Sequence, residues 1–192
     1  MLAKVYSSSQ MNTIDPRRSA LVLVDYQARL MPAIHEGDKA VAVAVKLADV
    51  ARELGIPVVG TEQNPGGLGP NVEEIRRRCE TTISKMSFDA CANGLVDWLA
   101  LSREGGSDVV IAGCEAHVCL MQTALGLLRA GLRVWVVADA CGSRFPADKA
   151  LALERLRGAG ATLVSGEMVA FEWLVSCEHA RFKPVLQRLK QP

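Results

Sequence analysis

Six short apolar runs, separated by stretches of helical periodicity, limit what this chain can fold into more than any other feature. The runs are 20–25 (ALVLVD), 57–61 (PVVGT), 82–85 (TISK), 108–113 (DVVIAG), 133–139 (RVWVVAD) and 161–165 (ATLVS). Each is rich in Val, Ile or Leu and mostly lacks alternation, as strands covered on both faces should. Between them, Val41, Ala44, Val45, Ala48 and Ala51 recur at helical spacing up to a stop at Gly55. Leu120, Ala124, Leu127 and Leu128 repeat the pattern before Gly131. Ala150, Leu153 and Leu156 do so behind Pro146, a residue suited to a first helical turn. Alternating β and α units predict an α/β fold, with helices on both faces of a Rossmann-like, doubly wound, mostly parallel sheet of about six strands.

No linker, repeat or low-complexity tract divides the chain, so residues 1–192 are expected to form one domain. The 22 Lys+Arg against 21 Asp+Glu give a net charge of +1, which offers no general attraction for nucleic acid or anionic lipid. The short basic run Arg76, Arg77, Arg78 reads as a solvated face or subunit contact. The polar residues Ser7, Ser8, Ser9, Gln10 and Asn12 leave no apolar core for a secretory signal within 1–15. The longest membrane candidate, 40–51, is too short and is interrupted by Lys46 and Asp49. The six cysteines are therefore expected to be reduced thiols of a cytoplasmic protein.

In open α/β sheets ligands bind beyond the carboxyl ends of the strands. That rule selects Asp25, 61–63, Lys85, 113–119 and 139–144. Asp25 ends the first run, as a turn cap or a functional carboxylate. Lys85 ends the third, where a lysine ordinarily reaches for water. Cys119 stands where the loop after the fourth run turns into a helix, and helix-start amides can acidify a thiol towards the nucleophilic thiolate. Its alternative is a small buried hydrophobe. An acid, a lysine and a cysteine converging on one crevice would suit acyl transfer through a thioester.

The segments LVLVDYQ (21–27), ISKMSFDA (83–90) and VVIAGCEAHVCLMQTALGLL (109–128) resemble the three signature segments of the isochorismatase-like cysteine hydrolase superfamily. GTEQNPGGLGP (60–70) and LVSCEHARFKPVLQRLK (174–190) resemble its isochorismatase domain-containing branch. The resemblance implies an Asp–Lys–Cys triad of Asp25, Lys85 and Cys119 on a Rossmann-like sheet. It also implies a non-proline cis peptide between Cys114 and Glu115, aiming the N–H groups of Glu115 and Cys119 at an oxyanion. Nicotinamidases carry an Asp-x-His metal motif after the second strand; here Thr61-Glu62-Gln63-Asn64 lacks the histidine, so no metal is expected. Leu30 replaces the usual aromatic of one pocket wall.

Together with these residues, the resemblance implies a hydrolase of a small amide-like substrate, with no cofactor and with assembly into dimers or larger homo-oligomers. Gln27, Gln63, Phe88 and His117 are candidate pocket residues by proximity, although Gln27 could instead brace a loop and His117 could shape one. Two alternatives stand beside that reading. One is ether-type hydrolysis that needs Asp25 and Lys85 but no thiol, and the other is a non-catalytic binding protein retaining the fold.

Overall fold

The six runs become the strands β1 (Ser19–Val24), β2 (Val58–Gln63), β3 (Thr81–Lys85), β4 (Asp108–Gly113), β5 (Arg133–Val137) and β6 (Thr162–Val164). In this computed structural model, which describes residues 13–102 and 107–190, they form one sheet in the order β3-β2-β1-β4-β5-β6. Every pairing is parallel. The two halves of the sheet therefore wind outward from a switch between β1 and β4, as the alternation predicts. Most of the polar amino-terminal stretch, at 1–12, lies outside the described residues.

The helices are α1 (Gly37–Glu53), α2 (Pro65–Leu68), α3 (Glu73–Arg76), α4 (Leu95–Ser102), α5 (Met121–Arg129), α6 (Pro146–Gly158), α7 (Gly166–Leu174) and α8 (Phe182–Lys190). β1 and β4 are buried at every position, which explains their unbroken apolar runs. Leu21, Leu23, Val110 and Ala112 pack on one face with Leu47, Val50, Val169, Trp173 and Val185 of α1, α7 and α8. Ala20, Val22, Val24, Val109 and Ile111 pack on the other with Leu95, Leu99, Ala124, Leu127 and Leu156 of α4, α5 and α6. Period-two alternation of the strands thus feeds two separate cores. Among the described residues no helix is long and apolar enough to cross a membrane.

The stops are where glycine permits them: Gly55, Gly131 and Gly160 follow α1, α5 and α6 with positive φ. At the switch the demand is steric. A Cβ on Gly113 would lie 2.2 Å from the Val24 carbonyl oxygen, so only glycine lets β4 end this close to β1. Arg78 proves to be a pin between elements, holding Asp49 of α1 at 2.7 and 2.8 Å, while Arg76 pairs with Glu73 in the open.

Candidate active site

The carboxyl ends of β1, β2 and β3 bring three polar side chains together in the interior. Asp25 directly follows β1 and takes a φ of 52°, a conformation that Asp enters more readily than most side chains. Its Oδ1 accepts from the Thr61 hydroxyl of β2 at 2.6 Å, and its Oδ2 accepts from the Lys85 ammonium of β3 at 2.7 Å. The Asp25 and Lys85 side chains have no exposure to water, so each charge depends on the other. Lys85 also lies 3.4 Å from the Ser87 carbonyl, across the turn that follows β3.

Across the switch, the chain leaves β4 and enters a single π-helical turn, Ala116–Leu120, before α5. The Cys114–Glu115 peptide is cis. The Cys114 N–H donates to the Val24 carbonyl at 2.9 Å, tying this loop to the residue before Asp25. Cys119 is 8% exposed within the π turn. Burial and the Asp25 carboxylate push its thiol up to about 12, against the opposing pull of the Lys85 ammonium. Both charged groups are thus close enough to Cys119 to move its titration, and the two effects have opposite signs.

That result corrects the expectation of an acidified thiol. Cys119 stands at a helix start, as expected, and burial with the Asp25 carboxylate raises its thiol there. The shift favours the neutral thiol.

The other selected residues divide by burial and partners. Gln27 is wholly buried, and its side chain accepts from the Gln63 N–H at 2.9 Å. Its Nε2 donates to the Gln63 and Gly69 carbonyls at 3.0 and 2.6 Å, so both amide hydrogens are taken up in bracing this loop. Gln63 is half-buried and donates to the Met86 carbonyl at 3.1 Å. Phe88 is 48% exposed beside Met86, at 70%, in the turn after Lys85. His117, in the turn between β4 and α5, has its Nδ1 3.0 Å from the hydroxyl of Ser143 in the loop after β5. Among the described residues no group of three or more His, Cys, Asp or Glu is placed to hold a metal ion; Glu62 instead accepts from the Asn71 N–H at 2.8 Å.

Thr61 and Arg144 have contacts that the sequence did not disclose. Thr61 ends no motif, yet it fills one oxygen of Asp25. Arg144 reaches from the loop after β5 to the Glu115 carboxylate, 3.0 Å from its Nε. Position near the carboxyl end of a strand was the available signal: Thr61 lies in the last half of β2, and Arg144 in the loop after β5.

Comparison with known proteins agrees with this architecture. The isochorismatase domain model matches residues 19–168. Mouse isochorismatase domain-containing protein 2A is 36% identical over 187 residues, covering 96% of this chain and 88% of its own length. The solved MAR1 ribonuclease of Caenorhabditis elegans superposes with a TM-score of 0.87 at 34% identity, over 93% of each chain. An octameric hydrolase of unknown specificity from Escherichia coli gives 0.86 at 26% identity, over 94% of this chain and 92% of its own. With the domain model spanning every strand of the sheet and a relative of this identity spanning nearly the whole sequence, the chain belongs to the isochorismatase family.

Proposed function

We propose that this chain is a cysteine hydrolase that cleaves a small amide-like C–N bond through a thioester on Cys119. The observation that carries the reading is the buried Asp25–Lys85 pair, 2.7 Å apart, whose two charges both act on the Cys119 thiol. Asp25 takes the thiol proton, and the sulfur attacks the substrate carbonyl carbon. The N–H groups of Glu115 and Cys119 receive the oxyanion; among the described residues the Glu115 N–H has no protein acceptor. Protonated Asp25 then gives its proton to the departing amine as the C–N bond breaks. Water, deprotonated by Asp25, attacks the thioester, releases the acid and restores the thiol. Lys85 holds the carboxylate in place throughout.

The proposal takes residues 1–192 as one catalytic domain that works in the cytoplasm, with no cofactor and no nucleic-acid or membrane partner. It includes assembly into a homo-oligomer, in keeping with the octamer formed by the bacterial relative. Gln63, Phe88 and His117 border the substrate in this scheme. A second reading draws on the raised thiol: Asp25 activates water directly against an ether-type bond, and sulfur stays a bystander.

The test is a panel of small amides, nitriles and vinyl ethers, with an RNA oligonucleotide included because one structural relative is called a ribonuclease. Mass spectrometry watches for an acyl adduct on Cys119. With a substrate in hand, Cys119→Ala and Cys119→Ser are expected to lower kcat by about a thousandfold or more. Full turnover in Cys119→Ser with loss in Asp25→Asn would select the ether-type route. Full turnover in both variants would sink the site altogether.

A further inference from the structure

Two loops meet, one at the end of β4 (114–119) and one after β5 (141–144), and several hydrogen bonds join them. The Gly142 N–H donates to the Gly113 carbonyl at 3.2 Å, and the Ala116 N–H donates to the Gly142 carbonyl at 2.7 Å. Ser143 and His117 meet at 3.0 Å. Arg144 closes the set with two donors on one acceptor, its backbone N–H at 3.1 Å and its Nε at 3.0 Å from Glu115 Oε2.

We infer that Arg144 is a positioning residue, which fixes the backbone of Glu115 and cancels the charge that Glu115 would otherwise place beside the oxyanion. The inference rests on the proposed acyl transfer. The Glu115 side chain is 9% exposed while that of Arg144 is 53% exposed. An ion pair with one partner this open adds little to global stability, so its consequence falls on the loop that it holds. A near-buried carboxylate next to the proposed oxyanion amide opposes negative charge developing there, and the guanidinium offsets that opposition. Two N–H groups converging on one oxygen also set the carboxylate's direction, and with it the turn on which the Glu115 amide sits.

The experiment uses p-nitrophenyl acetate as an acyl probe on the full chain, following acetyl-Cys119 by mass spectrometry. Hydrogen exchange over 114–119 and thermal melting are read alongside. Arg144→Ala is expected to slow acetylation by about tenfold to a hundredfold, because small misplacements of oxyanion donors have costs of this order. Exchange over 114–119 quickens, while exchange elsewhere and the melting temperature hold. Glu115→Gln keeps an acceptor oxygen and removes the charge. Added to Arg144→Ala, it restores part of the lost rate by removing the uncompensated charge. Wild-type acetylation and exchange in Arg144→Ala would overturn the inference, as would a slowdown accompanied by loosening of the whole chain. If the wild type formed no acetyl-Cys119, the thioester reading would fail, and exchange over 114–119 would still decide the positioning role.

Discussion

Thr61 gives Asp25 a hydroxyl donor at 2.6 Å where water cannot reach, so the carboxylate has a fixed direction before any substrate arrives. Hydrogen bonds to a charged acceptor are worth about 1.5–3 kcal/mol. Thr61→Val keeps the shape and removes the donor, and steady-state kinetics should show kcat lowered by about tenfold to a hundredfold with the fold intact by circular dichroism. An unchanged kcat would assign the orientation of Asp25 to Lys85 alone. Cys119 teaches the opposite lesson about reading residues singly. Its place at a helix start suggested an acidic thiol, but burial cannot be read from one position and here decides the sign.

The turn Ala90–Asn93, after β3, is fastened to α5, which carries on directly from the turn holding Cys119. Asp89 caps it by accepting from the Cys91 N–H at 2.9 Å, and Asp89 also accepts from Arg129 of α5 at 3.0 Å. Thr123 accepts from the Ala90 N–H at 3.1 Å. Gly126 makes this contact available, since a Cβ there would lie 2.7 Å from both Asp89 carboxylate oxygens. In urea unfolding, Asp89→Ala should cost about 1–2 kcal/mol through the lost cap. Arg129→Ala should cost less than about 1 kcal/mol, because its side chain is 68% exposed. Equal costs would shift the weight from the cap to the ion pair. Such ties between loops leave no mark on spacing, which is why neither this one nor Glu115–Arg144 was legible beforehand. The strands were legible, because covered parallel strands need continuous apolar runs, and the helix stops were, because glycine alone takes their φ cheaply. The signals for α7 stand in the sequence too. Its cap Ser165 accepts from the Met168 N–H at 3.2 Å, and Val169, Ala170, Trp173 and Leu174 carry the helical period.

Across the molecule, burial pushes up the thiols of Cys79, Cys91, Cys114, Cys119 and Cys141, four of them to about 12 and Cys114 further, and raises the Tyr26 hydroxyl as well. Below the ordinary thiol value of 9.0 these groups are protonated whether the chain is folded or not. Between 9 and about 12 the unfolded chain releases protons that the folded chain retains, so stability is lost as pH rises through that window. Thermal melts should be insensitive to these thiols up to pH 9 and fall steadily above it. A level melting temperature to pH 11 would mean that the thiols titrate freely in the native state. Asp25 and the Cys114 loop leave neighbouring strands at the point where Gly113 nearly touches Val24. Adjacent strands are about 4.8 Å apart, a spacing set by backbone hydrogen bonds rather than by side chains. The points from which the chain departs towards the proposed base and towards the loop carrying the proposed nucleophile are therefore fixed by the most invariant dimension a sheet has.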